Sequence, residues 1–154
     1  MLLKKLRAKP ISLLTFNLLL SIWLGLFLNF AFYEKLQSLT PYTGIKAGLF
    51  VAASAVVVVS AYFFLFQLLN WKWTAKPVAI AMVFIGGFAS YAVSTLGVLI
   101  TSDQIQNLMQ TDIAEARDTW SIHLVTWTLG MTVLPIIAIL IVKLKSEPIL
   151  KQLL

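Results

Sequence analysis

Long apolar stretches alternate with short polar ones along this chain, and this pattern predicts its helices. Four stretches are long enough to cross a bilayer, because about 20 helical residues span roughly 30 Å of hydrocarbon. Each is expected to be a helix, since a helix satisfies its own backbone hydrogen bonds where lipid offers no partner. The predicted spans are residues 11–33, 44–69, 77–100 and 121–144.

The polar segment between the third and fourth spans predicts a helix that lies flat on the membrane surface, over about residues 102–120. At about 100° per residue, its apolar side chains fall on one side and its polar side chains on the other. Such a helix buries its apolar face at headgroup depth and keeps its polar face in water. The apolar face consists of Ile105, Leu108, Met109, Ile113, Ala116 and Trp120.

Three polar side chains of this segment form the candidate binding site. Asn107, Thr111 and Glu115 are spaced four residues apart and therefore share one face, which we call the ladder. A carboxylate attracts an ammonium group, whereas amide and hydroxyl groups donate to phosphate oxygens, so the ladder suits a zwitterionic lipid headgroup. The alternative is a solvated face, which any amphipathic helix has. Residue spacing alone leaves both readings open.

Composition supports a membrane protein. Of 154 residues, 60% are hydrophobic and only 12% are charged, whereas soluble domains have about 25% charged residues. Cysteine is absent, which excludes disulfides and thiolate metal sites. The net charge is +6, but the basic residues flank apolar spans and do not line an aromatic-rich face. Lipid is therefore the expected partner, and no nucleic acid is expected.

The distribution of lysine and arginine predicts the orientation. Four basic residues precede the first span, two lie between the second and third, and three lie at or just beyond the end of the fourth. Only Lys35, Lys46 and Arg117 fall on the other side. Because basic residues concentrate on the cytoplasmic side of membranes, both termini are expected in the cytoplasm and the surface helix on the outer side.

Polar and small residues within the spans predict how the helices pack. Asn17, Asn29 and Gln67 are expected to form hydrogen bonds between helices, and Pro135 is expected to kink the fourth span. Small residues let helix backbones approach closely, so the second and third spans are expected to pack through stripes of them. These stripes recur every four positions, as Gly44, Gly48 and Ala52, and as Gly86, Ser90 and Ser94.

Signatures of catalysis are missing from the sequence. It contains no H-E-x-x-H motif, no glycine-rich phosphate loop and no nucleophile elbow. This chain alone is therefore expected to perform no chemistry and to need no cofactor. The predicted fold is an all-α membrane protein, a single membrane domain over residues 1–154 with four transmembrane helices and one periplasmic amphipathic surface helix.

The stretch at residues 105–115 carries a family resemblance. It reads IQNLMQTDIAE, and Lys76-Pro77 opens the third span while Ser90-Tyr91 lies within it. Together they resemble the N-terminal membrane domain of bacterial lipid A phosphoethanolamine transferases, a family that includes the transferable colistin-resistance enzymes. The resemblance implies an inner-membrane protein. It also implies that Asn107, Thr111 and Glu115 bind the lipid substrate.

The family's reaction follows from the same resemblance. Its members move phosphoethanolamine from phosphatidylethanolamine to a threonine of a zinc-dependent periplasmic domain, and then to a lipid A phosphate. This lowers the negative charge that polymyxins bind. Family members have a fifth transmembrane helix before that domain, whereas this sequence ends at Leu154. Zinc is therefore expected in the catalytic domain and not in this chain.

The expected function is therefore that of a membrane domain that anchors such a transferase and binds a lipid headgroup, with phosphatidylethanolamine and lipid A as partners. The alternative is a small four-helix scaffold or regulatory subunit that binds a partner helix through its glycine and serine stripes. The sequence does not decide between a fragment of a longer enzyme and a stand-alone protein.

Overall fold

The computed structural model describes residues 10–71, 73–96 and 122–145. Over these ranges the chain is helical, and one β-bridge joins its two ends. The helices are α1 (Leu13–Ile22), α2 (Phe30–Leu39), α3 (Ile45–Leu69), α4 (Ala75–Leu96), α5 (Ile122–Thr128) and α6 (Leu134–Ile141). Two π-helical turns, Trp23–Phe27 and Leu129–Val133, extend α1 and join α5 to α6.

The described helices are long and apolar enough for a protein that crosses a membrane several times. Ile45–Leu69, Ala75–Ser94 and Leu124–Ile141 each qualify as a span, and a bent pair, Leu13–Phe27 with Phe30–Leu39, forms a fourth if it counts as one. This confirms an all-α membrane protein. The predicted surface helix at residues 102–120 lies outside the described residues.

The two ends of the described chain meet at one end of the bundle. The Ile11 N–H donates to the Lys143 carbonyl at 3.0 Å, and the Lys145 N–H donates to the Ile11 carbonyl at 2.9 Å. We call this the inner end, and the opposite end, at the 40–44 connection, the outer end.

The first span is bent, whereas the sequence predicts one straight helix over 11–33. Its two halves meet at 49°, and the second half continues to Leu39. At the bend the Leu28 N–H donates to the Trp23 carbonyl at 3.2 Å, five residues back, which leaves the Leu24 carbonyl without its usual donor. The Asn29 side-chain amide donates to that carbonyl at 2.7 Å. Asn29 therefore stabilises the bend, and the prediction that it bonds to another helix is wrong.

The fourth span contains a widened turn next to its proline. The π-helical turn Leu129–Val133 directly precedes α6, and Pro135 lies in the first turn of that helix. Proline has no amide hydrogen to donate to the carbonyl four residues earlier, so regular α-helical pairing is interrupted there. The kink expected at Pro135 stays a prediction, and what the structure has beside this proline is a π-helical turn.

A buried hydrogen-bonded cluster ties the first span to α3 near the inner end. Asn17, which is fully buried, donates through its amide to the Phe66 carbonyl at 3.3 Å and to Gln67 Oε1 at 2.5 Å. Its own Oδ1 accepts from the Asn70 amide at 2.8 Å. The interhelical hydrogen bonds predicted for Asn17 and Gln67 are therefore confirmed, and each contributes about 0.6 kcal/mol in a membrane setting.

The small-residue stripes do not join the second and third spans as the sequence predicts. Nothing lies within 4 Å of the position that a Cβ would take at Gly44 or Gly48, so this stripe has no helix against it. At Gly86 that position lies 3.2 Å from side-chain carbons of both Leu24 and Leu28. The stripe of α4 therefore packs on the first span.

Two other glycines bring helices close together. A Cβ at Gly25 would lie 2.7 Å from Val59 Cγ2, and one at Gly87 would overlap the Thr132 hydroxyl. Gly25 thus lets the first span approach α3, and Gly87 lets α4 approach the fourth span. Four-residue spacing shows that small residues share one face of a helix. It does not show which neighbouring helix packs against that face.

Candidate functional site

The ladder of Asn107, Thr111 and Glu115 lies outside the described residues, so its lipid-binding role stays a prediction. The segment that carries it connects α4 to α5, and along the chain it therefore leaves from the outer end of α4. The residues that the structure describes at that same end form a cavity.

A cavity of about 670 Å³ lies between the first span and α4 towards the outer end, and we call it the outer cavity. This volume is within the range of about 300–1,000 Å³ that is typical of small-molecule sites. Residues from both sides of the bend line it, including Leu28 before the bend and Phe32 after it. The bend of the first span therefore helps to form this cavity.

Both polar and apolar side chains line the outer cavity. Its floor includes Leu24 and Leu28, which pack against Gly86. Ser90 lies one helical turn, about 6 Å, further out along α4 than Gly86. The polar residues that line the cavity are Asn29, Glu34, Lys35, Ser38, Ser90 and Ser94. The cavity is therefore apolar at its floor and carries both signs of charge towards its outer edge.

Ser90 is the unusual polar group of this cavity. Its side chain is only 5% exposed, and its hydroxyl has no hydrogen-bond partner among the described residues. The other two serines that line the cavity do have partners, because Ser38 donates to the Lys35 carbonyl at 2.8 Å and Ser94 to the Tyr91 carbonyl at 3.1 Å. A buried hydroxyl without a partner costs about 1–3 kcal/mol. Ser90 thus keeps an unused hydrogen-bond donor at a residue that lines the outer cavity.

A second cavity, of about 370 Å³, lies between the first and fourth spans nearer the inner end. Leu20 and Trp23 of the first span face Leu134 and Pro135 of the fourth across it. Its walls are almost wholly apolar, so it suits hydrocarbon but offers little to orient a polar substrate. The outer cavity is the better candidate for recognition of a headgroup.

Among the described ranges, no three histidine or carboxylate side chains come close enough together to hold a metal ion. The expectation that this chain carries no cofactor stays a prediction, because the acidic residues of the 97–121 segment are outside those ranges.

Sequence reasoning missed the outer cavity for identifiable reasons. The predicted first span ends at Tyr33, so Glu34 and Lys35 are read as loop residues, whereas α2 carries both of them onto the cavity wall. Ser90 is read as a packing residue of a small-residue stripe. The signal that was available is the charged pair directly after an aromatic-rich apolar run.

Comparison with known proteins assigns the class. Residues 58–154 match the family phosphoethanolamine transferase EptA/EptB. The match covers more than half of the chain, so the chain belongs to this family and corresponds to the N-terminal membrane domain of phosphoethanolamine transferases. The resemblance found in the sequence is confirmed.

Particular relatives agree with this assignment. The phosphatidylethanolamine transferase Mcr-2 of Escherichia coli is 30% identical over 125 residues, which are 81% of this chain and 23% of that protein. The Kdo(2)-lipid A phosphoethanolamine 7''-transferase of Escherichia coli (strain K12) is 32% identical over 138 residues, 85% of this chain and 24% of that protein.

A solved structure has the same fold. The integral membrane protein lipooligosaccharide phosphoethanolamine transferase A from Neisseria meningitidis superimposes with a TM-score of 0.79 at 26% identity. The superposition covers 90% of this chain and 26% of that one. The chain thus spans about a quarter of the length of the relatives it matches.

Proposed function

We propose that this chain is the membrane domain of a transferase that moves phosphoethanolamine from phosphatidylethanolamine to lipid A in the bacterial inner membrane. Its own contribution is to anchor the enzyme and to hold the headgroup of the donor lipid at the outer surface. The observation that supports this most is the outer cavity, with its apolar floor, charged edge and unpaired buried hydroxyl, in a chain of the EptA/EptB family.

The proposed orientation places both termini in the cytoplasm and the outer cavity towards the periplasm. The pairing of Ile11 with Lys143 and Lys145 supports it, because both ends of the described chain lie on one side of the bundle. Lys76 lies at that same end, where its ammonium donates to the Leu140 carbonyl at 2.9 Å. Basic residues concentrate on the cytoplasmic side of membrane proteins.

The ladder is proposed to bind the headgroup itself. Glu115 attracts the ammonium of ethanolamine, while Asn107 and Thr111 donate hydrogen bonds to the phosphate. The segment that carries these residues continues from the end of α4 that lines the outer cavity with Ser94. The ladder and the cavity would then contact different parts of one lipid.

The chemistry of the transfer belongs to other residues. The resemblance places zinc and the nucleophilic threonine in a periplasmic domain, where the metal would stabilise negative charge on the transferring phosphoryl group. The residues of this chain bind and orient the donor, which raises its local concentration at the reacting groups. Removal of a binding residue is therefore expected to lower transfer without loss of membrane insertion.

Substitution of Glu115 in the complete gene product tests this function. Glu115→Ala and Glu115→Gln are expected to lower the amount of phosphoethanolamine on lipid A by about tenfold, which corresponds to the loss of one charged contact. Mass spectrometry of lipid A from the expressing bacteria measures this amount. Asp112→Asn is the matched control, because it removes a carboxylate from the same segment but not from the ladder. Unchanged modification at equal membrane levels of the Glu115 variants would contradict the role of the ladder.

A further inference from the structure

We propose that the outer cavity binds the glycerol-ester region of a diacyl glycerophospholipid and that Ser90 donates a hydrogen bond to one of its ester carbonyls. This inference rests on the proposed function and specifies which part of the donor lipid the described residues contact. Its evidence is the hydroxyl of Ser90, the order of side chains along the cavity and the chemistry of the bilayer at that depth.

The hydroxyl of Ser90 departs from the usual behaviour of hydroxyls in helices. Other hydroxyls of this chain donate to the carbonyl four residues earlier, as Ser21 does to Asn17 at 2.7 Å and Ser54 to Phe50 at 2.9 Å. This local bond is the ordinary way to satisfy a hydroxyl in an apolar helix. Ser90 does not form it, although it is buried at the wall of a cavity. An acceptor from outside the chain would complete its bonding.

Leu24 with Leu28, then Ser90, then Glu34 with Lys35 follow the order of groups along a phospholipid, and apolar Leu36 and Leu39 lie beyond the charged pair. Leu24 and Leu28 form an apolar floor that suits the first carbons of an acyl chain. Ser90 comes next, and the carboxylate of Glu34 and the ammonium of Lys35 line the outer part. A phospholipid likewise runs from acyl chain to ester, phosphate and ammonium. The Lys35 and Glu34 side chains would lie beside the headgroup that the ladder binds.

The identity of the acceptor follows from the depth of Ser90. Hydrocarbon chains offer no hydrogen-bond acceptor, so a hydroxyl in the membrane can be satisfied only by protein, water or lipid esters. The ester carbonyls are the first acceptors that a lipid carries above its acyl chains. A glycerophospholipid therefore supplies an acceptor, an apolar chain and a charged headgroup in one molecule.

Photo-crosslinking of the purified 154-residue chain tests this inference. The chain is reconstituted in phosphatidylcholine nanodiscs that contain a trace of phosphatidylethanolamine with a diazirine close to one acyl ester, and labelled peptides are mapped by mass spectrometry. We expect labels on α2 and α4, on residues that line the outer cavity. Ser90→Ala is expected to lower this labelling about threefold to tenfold, the effect of one lost hydrogen bond.

Two further variants separate a binding defect from a folding defect. Ala89→Phe places a ring at the cavity wall and is expected to abolish the labelling, whereas Ser90→Thr, which retains a hydroxyl, is expected to restore most of it. Ser54→Ala is the matched control, since it removes a serine hydroxyl from α3, away from the cavity lining. Circular dichroism and thermal melts in the same nanodiscs verify that each variant is folded.

The outcomes distinguish this inference from the proposed function. Equal labelling of wild type and Ser90→Ala, or labels confined to the lipid-facing surface of α3, would overturn the cavity as a lipid site. A second probe with the diazirine on the ethanolamine should label residues 97–121. If only this headgroup probe labels the chain, the function stands and the cavity proposal fails. If neither probe labels more than a phosphatidylglycerol probe does, donor binding itself is refuted.

Discussion

The side-chain amide of Asn29 donates to the backbone carbonyl of Leu24 at 2.7 Å, within the bend of the first span. This single bond satisfies a carbonyl that the π-helical turn leaves free, because the Leu28 N–H donates to Trp23 instead. A little further on, the Tyr33 hydroxyl donates to the carbonyl of Gly25 at 2.6 Å. Two side chains of the outer half thus bind carbonyls of the inner half and stabilise the bend that helps to form the outer cavity.

The bend is expected to depend on Asn29. Asn29→Leu leaves the Leu24 carbonyl without a donor and should destabilise the bent first span by about 1–3 kcal/mol, or straighten it. Spin labels at residue 37 of α2 and residue 49 of α3 report the change, because their separation should shift in Asn29→Leu and remain the same in the exposed-site control Ser60→Ala. An unaltered distance distribution would show that the Asn29 side chain does not stabilise the bend.

The inner cluster is expected to contribute to stability through Asn17. Asn17→Leu removes three hydrogen bonds and leaves the buried amide of Asn70 without its acceptor. The free energy of unfolding is expected to fall by about 1–3 kcal/mol, because an unpaired buried amide costs more than its hydrogen bonds contribute. Reversible unfolding in mixed micelles measures it, with Ser54→Ala as the control for a local serine bond. A loss equal to that of the control would contradict the importance of the cluster.

The contact between α4 and the fourth span is expected to tolerate no side chain at Gly87. Gly87→Ala should destabilise the bundle because the new Cβ would overlap the Thr132 hydroxyl, at a cost of about 1–3 kcal/mol for overpacking. Thr132→Ala in the same chain should relieve most of this, giving a favourable coupling in a double-mutant cycle. Gly48→Ala serves as the control, because a Cβ at this position meets no other atom within 4 Å and alanine has a higher helix propensity than glycine. Additive effects at the two positions would argue against this contact.

The orientation is testable because the natural chain contains no cysteine. Gln37→Cys lies on α2 beyond the bend, and Trp73→Cys lies in the connection between α3 and α4. A membrane-impermeant maleimide added to intact spheroplasts should label the first variant and leave the second unlabelled until the membrane is opened. The reverse pattern would place the outer cavity on the cytoplasmic side and refute its proposed role.

The parts of the fold that sequence predicts well are those governed by hydrophobicity alone. The second span is predicted at 44–69 and observed at Ile45–Leu69, because an uninterrupted apolar helix needs only length and composition. The first span differs because its bend depends on hydrogen bonds that Asn29 and Tyr33 form within their own segment. The mean hydropathy of a stretch gives no information about such bonds. Residue spacing likewise identified the small residues of α4 but not the first span as their partner.

The candidate site was predicted only in part, for a similar physical reason. The family follows from residues that the sequence displays directly, whereas the outward-facing polar segment stays a prediction. The outer cavity requires the helix to continue past Tyr33 and the hydroxyl of Ser90 to lack a partner in its own helix. Both are consequences of packing between distant segments.

The most direct test of donor binding at the outer end is native mass spectrometry of the purified chain with equal amounts of phosphatidylethanolamine, phosphatidylcholine and phosphatidylglycerol. The account predicts that phosphatidylethanolamine remains bound in preference to the other two and that this preference falls in Glu115→Ala. Ser90→Ala is expected to lower the retention of all three lipids alike, because all three carry the acyl ester. Equal retention of all three lipids by the wild-type chain would contradict it.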